Sequence, residues 1–471
     1  MKRDTIVALA SGAGRAGIAM IRLSGPTAGA TLRALTDRDL PPPRQAARRA
    51  FCDPTTGLSL DDGLALWFPG PASFTGEDVA ELHVHGGPAV IAAIIDACLG
   101  QPGVRPAEPG EFTRRAFEHG KLDLAEAEGL ADLVDAETEG QRRQALRQRR
   151  GALSAVYESW RANLIEASAL IEAEIDFPDE DLPGALAQRA GPILAALAAD
   201  MGRHLDDAHR GERVRDGFRI AIIGPPNAGK SSLLNALARR EAAIVSDLPG
   251  TTRDVVEVRL VLAGFPVWIA DTAGLREAAD AVEAEGVRRA LERAEEADLR
   301  IGLVEAEADV PGDLRTALRS SDWLIRSKLD LHTHRSPDAE GDPGSIGRVA
   351  SAPSEFAGTM GPGLAASRHP GERWVSALTG EGVEALEREL GRRVSDTLGR
   401  EEAPALTRAR HRRLVEDARA ALARAIPALA RGPELAAEDA RAAAAALGRL
   451  TGRIDVEDLL DEIFSSFCIG K

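Results

Sequence analysis

The chain has 471 residues, 58 of them basic and 74 acidic, for a formal net charge of −16. At roughly 100–200 residues per domain, this length holds about two to four domains, each able to bury its own core; the acidic balance argues against a broad, non-specific nucleic-acid binder and leaves room for a local basic patch. The cysteines Cys52, Cys98 and Cys468 lie far apart, with neither metal-ligand nor disulfide spacing, as in a reducing cytoplasm, and no apolar run approaches the roughly 18 residues that cross a bilayer.

From the N-terminus, Ile6-Val7-Ala8-Leu9 and Ile18-Ala19-Met20-Ile21 read as strands parted by a glycine-rich turn. The apolar start is short and Ser11-Gly12-Ala13-Gly14-Arg15 breaks it, which argues against a signal peptide. Leu64-Ala65-Leu66-Trp67-Phe68 and Val79-Ala80-Glu81-Leu82-His83-Val84 are two further strands, and Pro88–Leu99 reads as a helix with proline at its first turn. Residues 1–118 are therefore mixed α/β. From Leu122 the chain becomes rich in Ala, Leu and Glu, with Leu164, Ile165, Ala169 and Ile171 at helical spacing. Residues 176–184 interrupt it, and another helix is predicted to about residue 212. Residues 216–395 alternate strands and helices, the pattern of a parallel sheet. Alanine-rich helix resumes near residue 404 and runs to the end. Helix on both sides of an α/β unit suggests one helical domain, split in sequence, with the α/β unit inserted. Residues 331–372 hold Pro, Gly, Ser and His without period and read as a long flexible surface loop.

The strand-like Arg219-Ile220-Ala221-Ile222-Ile223 leads into Gly224-Pro225-Pro226-Asn227-Ala228-Gly229-Lys230-Ser231 and then a helix that begins with Ser232. This is the strand, GxxxxGK[ST], helix order of a P-loop. Its glycines let backbone N–H groups wrap phosphates, Lys230 brings charge to the β and γ phosphates, and the Ser231 hydroxyl suits Mg²⁺. Gly250-Thr251-Thr252-Arg253-Asp254 follows, with Thr252 the candidate second Mg²⁺ ligand. Asp271-Thr272-Ala273-Gly274 comes next, after a strand, where Asp271 can hold the metal shell and the Gly274 N–H can meet the γ-phosphate. Ser327-Lys328-Leu329-Asp330 stands where GTPases usually carry Asn-Lys-x-Asp. The Asp330 carboxylate can accept both edge N–H groups of guanine, which adenine does not offer. Ser327 loses an amide that braces the loop and reaches the base, so weaker binding with unchanged base choice is expected. Ser376-Ala377-Leu378 would offer backbone N–H groups to the guanine oxygen.

Leu275 occupies the position where many GTPases place a water-orienting Gln. Arg253 and Arg276 are arginine-finger candidates by type alone, and of the acidic residues Glu277, Asp280, Glu283 and Glu285 spacing selects none.

These residues resemble the MnmE (TrmE) family of tRNA uridine-modification GTPases. The resemblance reaches beyond the P-loop unit to Asp4-Thr5-Ile6-Val7-Ala8, Phe74-Thr75-Gly76-Glu77-Asp78, His85-Gly86-Gly87-Pro88, Pro109-Gly110-Glu111-Phe112-Thr113, Lys121-Leu122-Asp123-Leu124-Ala125-Glu126-Ala127-Glu128 and the tail Cys468-Ile469-Gly470-Lys471. It covers nearly the whole chain except residues 331–372, which look like an insertion. It implies an α/β plus all-α fold: an N-terminal α/β folate-binding and dimerisation domain (1–118), a helical domain split in sequence (119–215 and 396–471), and an inserted Ras-like P-loop GTPase domain (216–395). It implies a potassium-stimulated GTPase that adds a carboxymethylaminomethyl or aminomethyl group to C5 of the tRNA wobble uridine. The one-carbon unit would come from 5-formyl- or methylene-tetrahydrofolate. The expected assembly is a homodimer that joins a FAD-dependent partner, MnmG (GidA), as a heterotetramer in the cytoplasm, with tRNA as substrate and no membrane attachment.

By position, the resemblance assigns K⁺ to Asn227, Ser246, Leu248 and Thr251, and the water-orienting catalytic role to Glu283. It assigns folate to Arg22, Glu81, Lys121 and Lys471. The loop residues Asp247, Pro249 and Gly250 join the GTP-binding set with Ala228, Gly229, Ser232, Thr272, Ala273, Lys328 and Leu329. Two rivals stand beside it. An Era-like ribosome-assembly GTPase shares the nucleotide motifs but usually carries a basic RNA-binding appendage and lacks such an N-terminal region. A folate-dependent one-carbon transferase with a regulatory GTPase differs in its acceptor. Other signals have plainer readings: His83-x-His85 as structural, Arg142, Arg143, Arg147, Arg149 and Arg150 as a solvated helix face with phosphate contact the alternative, and Cys468 as a tail residue packed near the folate pocket.

Overall fold

The computed structural model describes residues 4–176, 186–207, 209–240, 257–271, 294–331, 373–399, 404–454, 457–465, 467 and 470. The chain divides into two compact units: Met1–Asp135, Ala145–Asp207 and Arg408–Lys471 form one, and Ala136–Gln144 with Ala208–Thr407 the other.

The first unit opens with β1 (Thr5–Leu9), β2 (Ala16–Ser24), α1 (Ala28–Thr36), β3 (Ala47–Cys52), β4 (Ser59–Phe68), β5 (Val79–Gly86), α2 (Pro88–Leu99), β6 (Val104–Pro106) and α3 (Glu111–Glu118). The strands form a sheet in the order β3-β4-β5-β2-β1-β6. Only the β1–β6 pair is parallel. Strand alternation sends Ile21, Leu23, Ala65, Trp67, Ala80, Leu82 and Val84 into a core shared with Leu32 and Leu35 of α1 and Ile94 of α2. The same alternation puts Arg22 of β2 and Glu81 of β5, which are register partners, on the opposite face.

Helices complete this unit: α4 (Leu124–Asp135), α5 (Glu139–Arg149, whose first turns belong to the other unit), α6 (Ala152–Asp176) and α7 (Leu186–Leu205), then, after the second unit, the helices introduced below as α12 to α14. The helix predicted to run to about residue 212 ends instead at Leu205, and a separate short helix, α8 (Arg210–Asp216), starts the second unit's main segment. His209, with φ +58, immediately precedes α8 in the left-handed region.

The second unit continues with β7 (Phe218–Ile223), α9 (Lys230–Arg240), β8 (Glu257–Leu262), β9 (Phe265–Asp271), β10 (Leu299–Glu305), α10 (Gly312–Ala317), β11 (Trp323–Ser327), β12 (Arg373–Trp374) and α11 (Val383–Leu398). Its sheet runs β12-β11-β10-β7-β9-β8. All pairs are parallel except β8–β9, an antiparallel hairpin that departs from the parallel pattern expected. Ala263 (φ +51) and Gly264 (φ +81) form its two-residue turn, the conformation whose twist matches paired strands. Ile220, Ile222, Val267, Ile269, Ile301 and Leu303 bury one face against Leu233, Leu234 and Leu237 of α9 and Leu386 and Leu390 of α11. The region expected to be a flexible loop lies, apart from Leu331, outside the described residues.

The chain then forms α12 (Ala409–Ala428), α13 (Pro433–Leu450) and α14 (Glu457–Ser465). Helices α6, α7, α12 and α13 make a four-helix bundle. Helices α12 and α13 pack on each other and bury small residues: Ala418, Ala421, Ala425 and Ala428 on the first, Ala436, Ala440 and Ala443 on the second. Alanine there lets two helices approach closely without side-chain entropy to lose.

One ionised group is sealed into this unit. Glu128 of α4 is 1% exposed and accepts hydrogen bonds from His411 Nε2 (2.7 Å) and Arg410 (3.0 Å), with Arg408 3.6 Å away. Arg408 also binds Asp132, one turn along α4. Burial pushes the Glu128 carboxyl up, but His411, Arg410 and Arg408 outweigh it and bring its pKa down to about 2. Burial pushes the His411 imidazole below its ordinary value, and the Glu128 carboxylate opposes that shift.

Candidate nucleotide site

The site is built at the carboxyl ends of parallel strands, the place where open α/β sheets hold ligands. Strand β7 ends at Ile223 and the chain turns at Gly224, where a Cβ would lie 2.2 Å from the Leu303 carbonyl oxygen of β10. Only glycine fits that approach. The following loop is wound by Asn227 (φ +62) and Gly229 (φ +92), both left-handed, and closes with the Leu233 N–H donating to Gly229 O at 2.9 Å. Asn227 is exposed on the loop's outer edge, while Ala228 is buried.

Lys230, the first residue of α9, is 6% exposed, and its ammonium donates to the carbonyl oxygens of Gly224 (2.9 Å) and Pro225 (3.0 Å). Burial pushes its pKa down and the nearby Asp271 opposes that shift. A cation is thus held inside the loop at the amino end of a helix, with the helix dipole of the same sign. Ser231 Oγ donates to Asp271 Oδ2 at 2.5 Å. Asp271 ends β9, which pairs with β7 in parallel, so sheet register brings the two oxygens together across 40 residues. Ser232 follows, exposed, on the first turn of α9.

The other rim starts where β11 ends. Ser327, 5% exposed, lies with its Oγ 2.6 Å from Ala228 O and 3.1 Å from Val304 O. Lys328 takes φ +57 and its ammonium pairs with Glu305 at the end of β10. Leu329 is buried and its N–H donates to Val375 O at 3.3 Å. The Asp330 carboxylate accepts the Ser376 hydroxyl. Ser376 is fully buried, Ala377 is half-buried and Leu378 is 85% exposed. Of the residues expected at the site, the structure gathers the P-loop, Asp271, Ser327 to Asp330 and Ser376 to Leu378. Ser246, Asp247, Leu248, Pro249, Gly250, Thr251, Thr252, Thr272, Ala273, Gly274 and Glu283 lie outside the described residues.

Motif reading missed two contacts that shape the site: Ser376 to Asp330, and Lys328 to Glu305. Both join residues far apart in sequence, and no local spacing signals them.

In the N-terminal sheet, Arg22 donates to Glu81 Oε1 through Nε (3.0 Å) and Nη2 (2.9 Å). Its guanidinium also lies 5.6 Å from the Phe74 ring centre and 5.8 Å from that of Phe112. Arg22 is therefore a neutralised cation between aromatic rings. Lys121 is exposed in the turn after α3, and Lys471 lies outside the described residues.

The motifs around this pair are stitched together by Arg115. It donates to Asp4 O (2.9 Å), Glu77 (2.9 Å) and Glu111 (2.8 Å), while Ser24 joins Thr75 (2.7 Å) and Glu77 (2.8 Å). His85 is held by Asp61, through its backbone N–H at 2.8 Å and Nδ1 at 2.7 Å. No group of three potential metal-ligating side chains occurs among the described residues. Arg142 of the basic run pairs with Glu139 on its own helix at 2.7 Å. No helix among the described residues is long and apolar enough to cross a membrane.

A glycine-rich loop between a central strand and a helix, a lysine inside it and a carboxylate at the next strand's end define a P-loop nucleotide-binding domain. Comparison with known proteins then assigns the chain. A profile described as "MnmE helical domain" matches residues 124–468, and one described as "GTP-binding protein TrmE N-terminus" matches residues 5–121. The chain is 58% identical over 471 residues to the tRNA modification GTPase MnmE of Parvibaculum lavamentivorans, covering 99% of this chain and 100% of that protein. It is 57% identical to the protein of the same name from Maricaulis maris, covering 99% of each. A solved structure of Aquifex aeolicus Era covers 37% of this chain and 56% of that one at 20% identity, with a TM-score of 0.25. The chain belongs to the MnmE family.

Proposed function

We propose that the chain binds GTP in the cleft between the P-loop and the Ser327–Asp330 loop, hydrolyses it, and does so in the service of tRNA modification. The full-length identity to proteins named tRNA modification GTPase supports this reading. The observation that carries the nucleotide part is the buried Lys230, whose ammonium binds the loop carbonyls of Gly224 and Pro225 and would move onto the β and γ phosphates. Backbone N–H groups of residues 228–232 would cradle the phosphates. The paired oxygens of Ser231 and Asp271 are the hard donors that suit Mg²⁺. Ser231 and Asp271 would hold the ion, which would supply positive charge beside the phosphates. Thr252 would complete that shell, Gly274 would meet the γ-phosphate, and Glu283 would orient the attacking water. Asp330 would select guanine, with backbone N–H groups of Ala377 and Leu378 against its carbonyl; the Ser376 N–H, expected there too, instead donates to Glu381 O at 2.8 Å.

The finer reading follows the family. Asn227, exposed at the loop edge, would bind K⁺ with Ser246, Leu248 and Thr251, and K⁺ would take the place of an arginine finger. GTPase domains of a homodimer would close on one another across the nucleotide. Glu81 would hold the pterin ring of tetrahydrofolate beside Phe74 and Phe112, with Arg22, Lys121 and Lys471 around it. The Arg22–Glu81 pair balances one of the three cations in that set. With the FAD-dependent partner MnmG in a cytoplasmic heterotetramer, the product would be wobble uridine carrying an aminomethyl or carboxymethylaminomethyl group at C5. The helical domain would be one body interrupted by the GTPase domain, and GTP hydrolysis a switch that opens and closes the assembly.

The test is nucleoside analysis of tRNA from a strain lacking this gene. Wild-type chain supplied in trans restores the modified uridine and Lys230→Ala does not. An unaltered nucleoside profile in the deletion strain would overturn the function.

A further inference from the structure

We propose that residues 136–144 couple GTP hydrolysis to tRNA modification: Glu137 and Gly140 grip the β8–β9 hairpin away from the nucleotide, and α5 carries that grip onward as one unbroken helix. The proposal rests on the function proposed above.

The segment precedes the P-loop by a long stretch of chain, yet it belongs to the same compact unit. A capping box fixes its helical start. The Glu137 and Thr138 N–H groups donate to Gln141 Oε1 at 3.1 and 3.0 Å, and the Gln141 N–H donates to Thr138 Oγ1 at 3.3 Å. With its amide oxygen spent on the cap, Gln141 donates through Nε2 to Arg215 O of α8 at 2.8 Å. Gln144 Nε2 donates to Gly211 O, also of α8, at 2.8 Å.

The hairpin is held at two points. The Gly140 N–H donates to Gly264 O in the turn at 2.8 Å. A Cβ on Gly140 would lie 2.5 Å from the Phe265 ring and 3.0 Å from that carbonyl oxygen, so helix and turn meet where no side chain fits. Glu137 pairs with Arg259 of β8, whose guanidinium lies 5.2 Å from the ring centre of Trp268, its register partner on β9. Trp268 Nε1 in turn donates to Asp216 O of α8 at 2.8 Å. Strand β8 is at the edge of its sheet, with β9 its one neighbour there. Strand β9 ends at Asp271, the partner of Ser231 in the proposed metal site. The hairpin thus has one end at the nucleotide and its turn against α5. Helix α5 runs without a break to Arg149, past the unit boundary at Gln144. Packed side chains and a rigid helix are the material through which such coupling travels.

The experiment uses the full chain as wild type, Glu137→Arg, Arg259→Glu, the double variant carrying both, and Gly140→Ala. Each is measured for melting temperature, for GTP hydrolysis in KCl, and for restoring modified uridine to tRNA of a strain lacking the gene. The single variants are expected to hydrolyse GTP within about twofold of wild type and to lose most of the modified uridine. The double variant, which remakes the ion pair with its signs exchanged, is expected to regain it. Folded single variants that modify tRNA like wild type overturn the proposal. So does a loss of hydrolysis in step with the loss of modification, which would mark a merely structural contact. A double variant no better than the singles overturns the role of the Glu137–Arg259 pair. If Gly140→Ala does not fold, the charge variants decide alone. A wild-type chain that restores no modified uridine instead defeats the function proposed above, and the coupling with it.

Discussion

Gly224 shows how little freedom single positions have. Its missing side chain lets the end of β7 pass 2.2 Å, at the would-be Cβ, from a carbonyl oxygen of β10, and a backbone atom cannot swing aside. Gly224→Ala is expected to cost about 1–3 kcal/mol of stability, as overpacking does, and to weaken nucleotide binding; an unchanged melting temperature would contradict the contact. Glu128 behaves as a second such position, in the other unit. Removing a buried charge's partner, or the charge itself, leaves uncompensated ions, so Glu128→Ala is expected to cost roughly 3–5 kcal/mol in a chemical-denaturation series. Its folded pKa lies below the ordinary 4.5, at about 2. The stability it confers is therefore present above pH 4.5 and is lost as pH falls from there toward 2. Glu128→Gln should flatten that acid limb, and an identical acid profile would show that the carboxylate is not ionised in the fold. The P-loop, Asp271 and Asp330 were legible because each is a fixed spacing after a strand. Glu128 with His411 was not, since the partners are 283 residues apart and neither sits in a pattern that marks a buried pair. Ser376 was read only for its backbone, because the hydroxyl's partner is set by how β12 lies beside β11.

Elements were legible where local chemistry and periodicity agreed. Helix α2 begins at Pro88 and ends at Leu99, as the proline and the apolar run predict. The hairpin β8–β9 escaped because its turn is Ala-Gly rather than the Asn-Gly or Asp-Gly that announces such a turn. Ala263 there occupies φ +51, a region that costs a residue with a Cβ about 1–2 kcal/mol and asparagine less. Ala263→Asn is accordingly expected to raise stability by about 0.5–1 kcal/mol, and a fall in the melting temperature would mean that the turn is not what holds the hairpin. In the bundle, the close seam of α12 and α13 depends on side-chain size. Ala443→Leu should destabilise by about 1–3 kcal/mol, while a neutral result would show that the seam has space that its buried alanines do not suggest.

At the scale of the whole molecule, the chain leaves its first unit twice and returns twice, the last time at Arg408. Arg408 and Arg410, at that return, are bound to Asp132 and Glu128 of α4, close to where the chain first leaves at Asp135. Composition showed the change from α/β to helix and back, because alanine content and apolar period shift together. It could not show which helical segments pack on one another, which depends on contacts between α6, α7, α12 and α13 across more than two hundred residues of intervening chain. Residues 241–256 and 272–293, which carry most of the proposed K⁺ and water-orienting groups, lie outside the described residues, and Asn227 is the proposed K⁺ ligand within them. The measurement that tests this most directly is the GTP hydrolysis rate of the full chain in KCl and in NaCl at equal ionic strength, with Asn227→Ala alongside. Faster hydrolysis in KCl that Asn227→Ala abolishes is the expected result; equal rates in the two salts would contradict a potassium-stimulated GTPase.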